Sequence, residues 1–205
     1  MPVEDVILQP EQAPVTVALE PAHHAVHSML LVVEAEKLSG LGEWVTRTAD
    51  SMSPGERRQH EFVTLGFFHA IFPERSWPSF PAFVDHLATC NPNELRDRML
   101  AAYARFPPKT AGSKLGYSKD APSVDLEAVL KDEESYLSFL RERFDASRVD
   151  EELEARAYAY VVKPTEMQEL IVTHLRKVWD EHLAEEWTRV KPMLMDSVRA
   201  FEQTD

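Results

Sequence analysis

The chain has 205 residues, of which 44% are hydrophobic and 28% are charged, as in a globular protein long enough to bury a sizeable core. Its formal net charge is −13, and its densest basic cluster is only Lys109, Lys114 and Lys119, so this segment is not expected to hold DNA. The single cysteine, Cys90, excludes an internal disulfide, and no apolar run approaches the ~20 residues of a membrane span. Because the acidic N-terminus also lacks a signal-peptide pattern, these features predict a cytoplasmic protein with no membrane partner.

The N-terminal part of the chain is predicted to be an irregular arm followed by helices. Residues 1–20 carry several prolines and no helical period, and they include one possible short strand at 15–19. Beyond the arm, apolar residues recur with the spacing of a helix face. The predicted helices cover 22–38, 41–48 and 53–72, and two more begin near 79 and 91, the last of them ending at about 106.

Three of these helices begin with capping signals. Ser53, Pro54 and Glu56 form a capping box, in which the hydroxyl accepts a hydrogen bond from a free amide while the glutamate reaches back to the cap. Ser79 and Asn91 are predicted to be the N-caps of the next two helices.

Residues 107–123 are predicted to be a linker, because they hold three prolines, two glycines and three lysines without a period. Helices are then predicted over 124–131, 133–144 and 151–163. A capping box at 165–168 is predicted to begin a long helix, and Pro192 is expected to kink the final one. The chain thus divides into an arm (1–20), a helical half (21–106), a linker (107–123) and a second helical half (124–205). The predicted fold is an all-α, multi-helix bundle of about nine helices with at most one short N-terminal strand.

An aromatic cluster stands out in the first half: seven of the 19 aromatic residues lie within 62–83. Such side chains either fill a core or line an apolar ligand pocket between helices, and the pattern does not separate the two. His174 lies on an apolar stripe, where it is either a hydrogen-bonded core histidine or a polar contact for a ligand. The candidate pocket or core residues are Trp44, Phe67, Phe68, Phe72, Trp77, Phe80, Phe83 and His174.

The sequence offers few residues for catalysis or metal binding. His23, His24 and His27 could share one helix face, but zinc needs further ligands and no second His or Cys pair is evident. Glu166 and Glu169 are spaced for one helix face, yet without convergent partners they are expected to be solvated. No nucleophile elbow, zinc-protease motif or phosphate-binding glycine loop occurs. We therefore expect no enzyme, no catalytic residue, no metal site and no cofactor.

The C-terminal helices carry more apolar surface than one packing seam requires. The candidate dimer-interface residues are Trp179, Trp187, Val190, Leu194 and Phe201. Tryptophan is enriched at interface hot spots, so a homodimer is predicted in which these helices take part. The alternative, which periodicity cannot exclude, is that Trp179 and Trp187 close the core of the monomer.

Five segments share a pattern with a known family: LSGLGEWV at 38–45, FPERSWPSFPAF at 72–83, and the helical stretches 95–107, 167–179 and 186–201. Together they make residues 15–204 resemble the long N-terminal region of a subgroup of bacterial ArsR-type winged-helix transcriptional regulators. The resemblance is spread across helices and rests on no short diagnostic motif. It implies an effector-binding and dimerisation region that precedes the DNA-reading winged helix.

Two departures from that family shape what is expected of this chain. The sequence stops at Asp205, so DNA is expected to be a partner only through a C-terminal domain that this segment lacks. The paired thiolates of the metal-sensing members are missing as well, since Cys90 is alone. The leading hypothesis is therefore a regulatory and dimerisation domain that binds a small apolar effector. A stand-alone helical binding or scaffold protein is the alternative, and a helical enzyme is the third possibility.

Overall fold

The computed structural model describes residues 17–106, 124–145 and 149–203, and 75% of them are helical. The helices are α1 (Pro21–Val33), α2 (Glu43–Ser51), α3 (Pro54–Gly66), α4 (Phe68–Ile71), α5 (Phe80–Thr89), α6 (Pro92–Ala104), α7 (Leu126–Val129), α8 (Glu133–Arg141), α9 (Glu151–Val161), α10 (Pro164–Val178) and α11 (Ala184–Glu202). The described residues contain no β-strand, which confirms the predicted all-α class. The linker 107–123 and most of the arm lie outside the described residues, and 17–19 are irregular.

The predicted caps explain where several helices begin. The amide of Glu56 donates to Ser53 Oγ over 3.3 Å, and the amide of Ser53 donates to the Glu56 carboxylate over 3.0 Å, which confirms the capping box. Ser79 and Asn91 cap α5 and α6 as predicted. The box at 165–168 was wrong: α10 begins at Pro164, its N-cap is Lys163, whose side chain makes no cap hydrogen bond, and Thr165 already lies inside the first turn.

The predicted helix over 53–72 is broken near its end. Phe67 has a backbone φ of −124° and ψ of 26°, outside the helical range, and separates α3 from the single turn of α4. The side chain of Phe67 is fully buried and packs edge-on against Phe62, with ring centroids 5.4 Å apart. The break between α3 and α4 therefore coincides with the burial of the Phe67 ring, and the local sequence did not predict it.

Helix α10 lies at the centre of the main core and contacts α3, α5, α6 and α9. Its buried face includes Met167, Ile171 and Leu175, as the apolar stripe predicted. The buried Gln168 side chain donates to the carbonyl oxygens of Leu87 and Cys90 over 2.8 and 2.7 Å. These bonds satisfy carbonyls at the C-terminal end of α5 and fix α10 against that helix. The core draws side chains from both predicted halves of the chain.

Helices α3 and α9 approach each other closely at Gly66. A Cβ atom at this position would lie 3.3 Å from Leu153 Cδ2 and 3.5 Å from the Cβ of Ala157. The absence of a side chain therefore lets α9 lie directly against the end of α3, which brings residues 65 and 153 to the same pocket described below.

A π-helical turn, Trp179–Leu183, joins α10 to α11. Such turns release a backbone carbonyl from the regular ladder and redirect the helix that follows. Helix α11 then runs for 19 residues, with Pro192 inside it, and none of its residues is buried. Among the described helices, none combines the length and apolar character needed to cross a bilayer.

Candidate functional site

The candidate aromatic residues are distributed over several places in the fold. Phe67, Phe80 and Phe83 are fully buried in the main core. Phe72 and Trp77 are partly buried and pack against that core from outside. Phe68 lines a pocket beside α9, whereas Trp44 packs between the two apolar clusters beside the π-helical turn. These residues are therefore mainly filled core, and two of them, Phe68 and Trp44, line pockets at separate places.

His174 is a hydrogen-bonded core histidine, and its partner is a second buried histidine, His60. Their nearest ring nitrogens, His174 Nε2 and His60 Nδ1, lie 3.0 Å apart, and His60 Nε2 lies 2.9 Å from the carbonyl oxygen of Met29. Because a carbonyl only accepts, His60 Nε2 carries a proton and His60 Nδ1 accepts from His174. The two imidazoles form a chain of hydrogen bonds that joins α10 through α3 to α1.

Burial keeps both histidines of this pair neutral. It lowers the pKa of His174 to about 3, and the nearby His60 and Lys177 act in the same direction. Burial also lowers the pKa of His60, with a contribution from His182, while its bond to the Met29 carbonyl opposes the shift. A pair of this kind, bonded through both ring nitrogens of His60 and through Nε2 of His174, holds α1, α3 and α10 together.

The histidines of α1 lie against aromatic rings. His23 and His27 both meet Phe72 edge-on, with centroid distances of 5.2 and 5.6 Å. His24 Nδ1 lies 2.7 Å from the carbonyl oxygen of Glu20. Within the described ranges, no group of three or more His, Cys, Asp or Glu side chains is placed to hold a metal ion.

A pocket of about 240 Å³ lies between α4, α6, α8 and α9. Its walls are mainly apolar and aromatic, and its polar groups come from His69, Tyr103, Asp150 and Glu154. The lining residues are Leu65, Phe68, His69, Tyr103, Leu140, Phe144, Val149, Asp150, Leu153 and Glu154. An apolar cavity with a few convergent polar groups is the usual form of a small-molecule site.

Glu154 is the one acidic side chain of this pocket that is withdrawn from solvent. Tyr136, itself fully buried, donates its hydroxyl to Glu154 Oε2 over 3.0 Å. Burial raises the pKa of Glu154 to about 7, helped by the charge of Asp150, although the bond from Tyr136 opposes the rise. A carboxyl group that titrates near neutral pH inside a pocket is a candidate functional group.

The remaining polar groups of the pocket are held in place by their own contacts. Tyr103 is buried, and its ring meets His69 edge-on at 4.9 Å and Phe144 at 5.7 Å. Burial lowers the pKa of His69, and the nearby charge of Arg105 adds to the shift. Asp150 accepts bonds from the amides of Glu152 and Leu153 as the N-cap of α9. Of the two carboxyl groups in the pocket, Glu154 is the one that does not cap a helix, so it is the carboxyl group available to a ligand.

Helix α11 carries an apolar stripe that the described part of the protein covers only partly, since four of its five residues are half-buried and the fifth is exposed. Its members recur at three- and four-residue spacing, and they are Trp187, Val190, Leu194, Val198 and Phe201. None of them is buried, and Phe201 is 41% exposed. Met193, 64% exposed, and Met195, 37% exposed, flank the stripe on either side. Four of the five candidate interface residues lie on this face.

The fifth candidate interface residue, Trp179, has a place in the monomer. It packs against the buried ring of Phe80 at a centroid distance of 5.1 Å. Nearby, the indole N–H of Trp44 donates to the carbonyl oxygen of His182 over 3.3 Å, inside the π-helical turn. Both tryptophans therefore fix the junction from which α11 departs.

Sequence reasoning missed His60, Tyr103, Tyr136 and Glu154. His60 and its partner are 114 residues apart, and Tyr136 and Glu154 are 18 apart on different helices. Glu154 follows three other acidic residues at the start of α9, so its pattern is that of a solvated helix end. One sequence signal could have identified Glu154 as a partly buried residue. It lies seven residues before Val161, on the same face of α9, and Val161 is buried.

Comparison with protein-family models, with curated proteins and with solved structures gives no match for this chain.

Proposed function

We propose that this chain is the regulatory and dimerisation domain of a winged-helix transcriptional regulator, and that α11 pairs with the α11 of a second copy. The observation that carries the proposal is the exposure of α11, a 19-residue helix without a buried residue but with a continuous apolar stripe. The resemblance to the N-terminal region of ArsR-type regulators supports the same reading. A small apolar effector belongs to the proposal as well.

The spacing of the stripe suits a helix-to-helix seam. Steps of three and four residues from Trp187 to Phe201 give the repeat by which side chains of one helix fit between those of another. Over 19 residues α11 extends about 28 Å, at 1.5 Å per residue. Two copies paired along this length would cover an apolar surface that each monomer leaves in water.

A dimer of this geometry would serve a regulator in a specific way. Operators with two related half-sites require a protein with two-fold symmetry, and the distance between the two reading domains must be fixed. Helix α11 would set that distance if a DNA-reading domain is joined to it. The contacts of Trp44 and Trp179 at the π-helical turn would hold α11 at a defined angle to the body.

The proposal is tested by truncating the stripe and measuring assembly. Wild type is expected to sediment as a dimer in the micromolar range, and Trp187→Ala is expected to raise the dimer dissociation constant about tenfold or more, as at an interface hot spot. Glu185→Ala is the matched control, because Glu185 is exposed on the opposite side of α11. Helicity measured by circular dichroism should be the same in all three proteins.

Two outcomes would contradict the dimer. Wild-type protein that stays monomeric at tens of micromolar would remove it outright. Loss of folding in Trp187→Ala would instead assign that ring to the monomer, where it lies 6.2 Å from His24.

The alternative is a stand-alone helical binding protein without a DNA partner. The pocket beside Glu154 favours it to the extent that ligand binding needs no second domain. Either way the acidic chain itself, with a net charge of −13, should hold duplex DNA only weakly and without sequence preference. Sequence-selective retention of DNA by this chain at ~150 mM salt would contradict the expectation that this chain does not itself read DNA.

A further inference from the structure

In the pocket between α4, α6, α8 and α9, a carboxyl group lies beside three aromatic rings. Phe68, Tyr103 and Phe144 supply the rings, and Glu154 supplies the carboxyl group. At about 240 Å³ it is larger than the cavity of about 150 Å³ that holds benzene in an engineered protein. It therefore has room for one aromatic ring with a short side arm.

The charges that face this pocket favour a positively charged ligand. The formally charged side chains that line it are Asp150 and Glu154, and no Lys or Arg is among the lining residues that the structure describes. Asp150 already accepts two backbone amides as the cap of α9, and Glu154 accepts the hydroxyl of Tyr136. Burial, and then the nearby charge of Arg105, lower the pKa of His69 and so disfavour its charged form. An anion would meet two carboxyl groups there, whereas a neutral ligand would leave Glu154 without an ionic partner.

We propose that this pocket binds a small lipophilic amine as its ammonium ion, paired with Glu154 and enclosed by Phe68, Tyr103 and Phe144. The ammonium group pairs with the carboxylate, and the apolar body of the amine occupies the space between the rings. Aromatic faces attract a cation through their quadrupole, most strongly where water is excluded. Binding needs no dimer; only the role of the amine as an effector rests on the proposed function.

Tyr136 gives the carboxylate a fixed orientation for this pairing. Its hydroxyl holds Oε2, which leaves Oε1 without a hydrogen-bond donor among the described residues. The Tyr136 ring is itself fixed by burial and by Tyr158, at a centroid distance of 5.6 Å. The carboxylate is thus preorganised, and little side-chain entropy is lost when a cation arrives.

The pairing also predicts a proton-coupled affinity. The pKa of Glu154 is about 7, so a fraction of the carboxyl groups carries a proton at neutral pH. An ammonium ion stabilises the ionised form and displaces that proton. Affinity should therefore rise as the pH increases from about 6 to about 8, and the rise should disappear when position 154 cannot ionise.

The test is calorimetric titration of the whole chain with three probes of nearly the same size: 2-phenylethylamine, 2-phenylethanol and phenylacetate. The amine is expected to bind, and the alcohol and the carboxylate are expected to bind at least tenfold more weakly. Glu154→Gln keeps the shape and an acceptor for Tyr136, and it should weaken amine binding at least tenfold. Glu152→Gln is the matched control, since Glu152 is exposed on the same helix.

Several outcomes would overturn the proposal. They are equal binding of the amine and the alcohol, no binding of the amine at millimolar concentration, and unchanged amine affinity in Glu154→Gln. Thermal denaturation of Glu154→Gln in the same buffer shows whether the variant is folded; if it is not, Tyr136→Phe replaces it and should weaken amine binding severalfold. Sedimentation of the same samples tests the dimer separately from amine binding. If the protein is a monomer and still binds the amine, the proposed dimer is wrong and the amine site stands.

Discussion

The body of the protein, α1 to α10, differs from helix α11 in how far its apolar side chains are buried. In the body, apolar faces are buried and an embedded polar pair such as His60 and His174 is satisfied internally. In α11, a regular apolar stripe runs along the helix and none of its residues is fully buried. The contrast shows that the body buries its own apolar faces, and it is the basis of the proposal that α11 pairs with another copy. Substitutions in the two regions should therefore change different measured quantities.

The largest effect on folding is expected from breaking the histidine pair. His60→Leu leaves the buried Nε2–H of His174 without an acceptor, and an unpaired buried donor costs about 1–3 kcal/mol of stability. Urea denaturation should show this loss in the free energy of unfolding, while sedimentation stays unchanged.

The double variant His60→Leu/His174→Leu is the control for the histidine pair. It removes both partners, so part of the lost stability should return. An unaltered free energy of unfolding in His60→Leu would mean that the pair does not stabilise the body.

The second expectation concerns the pH dependence of folding stability, to which His174 and Glu154 contribute in opposite directions. The pKa of His174 is lowered to about 3, so the unfolded chain binds a proton that the folded one refuses, and stability falls as the pH drops below about 6.5. The pKa of Glu154 is raised to about 7, so the folded chain binds the extra proton and stability rises as the pH falls from about 7 to about 4.5. Between about pH 4.5 and 6.5 the two slopes offset each other.

Single substitutions should reveal each slope. For each protein, the change in unfolding free energy is measured as the pH falls from about 7 to about 5. This change should be about 2 kcal/mol more favourable in His174→Gln than in wild type, and about 1–2 kcal/mol less favourable in Glu154→Gln than in wild type. Exposed carboxylates contribute equally to all three proteins and cancel in the comparison. Parallel stability curves for the three proteins would contradict the assigned pKa directions.

The fold was largely predictable from sequence, because its signals are local. The cap at Ser53 and the buried face of Phe80, Phe83, Val84 and Leu87 follow from residues a few positions apart, and the structure contains them. The break at Phe67 and the π-helical turn were not predictable, because packing against distant helices decides them.

The candidate pocket depended on the same long-range information. Glu154 and its neighbours come from α4, α6, α8 and α9, and only the assembled body brings them together. The stripe on α11 could be predicted, since it has the period of a helix, but its exposure could not. A sequence shows which face of a helix is apolar and does not show what covers it.

The smallest effect on folding is expected in α11. Leu194→Ala removes a side chain at the middle of the stripe, and because no residue of α11 is buried, the free energy of unfolding extrapolated to the monomer should change by less than about 0.5 kcal/mol. The dimer dissociation constant should nevertheless rise, as measured by sedimentation equilibrium. A clear loss of monomer stability would show that the stripe belongs to the core and would erase the contrast between the two regions.

The central claim, that α11 meets the α11 of a second copy, can be tested by one distance. A nitroxide at Met193→Cys in a Cys90→Ser background lies on an exposed position beside the midpoint of the stripe, so two labels approach each other whether the helices run parallel or antiparallel. Paired helices lie 8–10 Å apart, and pulsed electron resonance should then give an intermolecular distance of about 10–25 Å. The same label at exposed Glu152→Cys, on the body, should give an intermolecular distance different from that measured at position 193. A signal from position 193 without intermolecular coupling would contradict the claim.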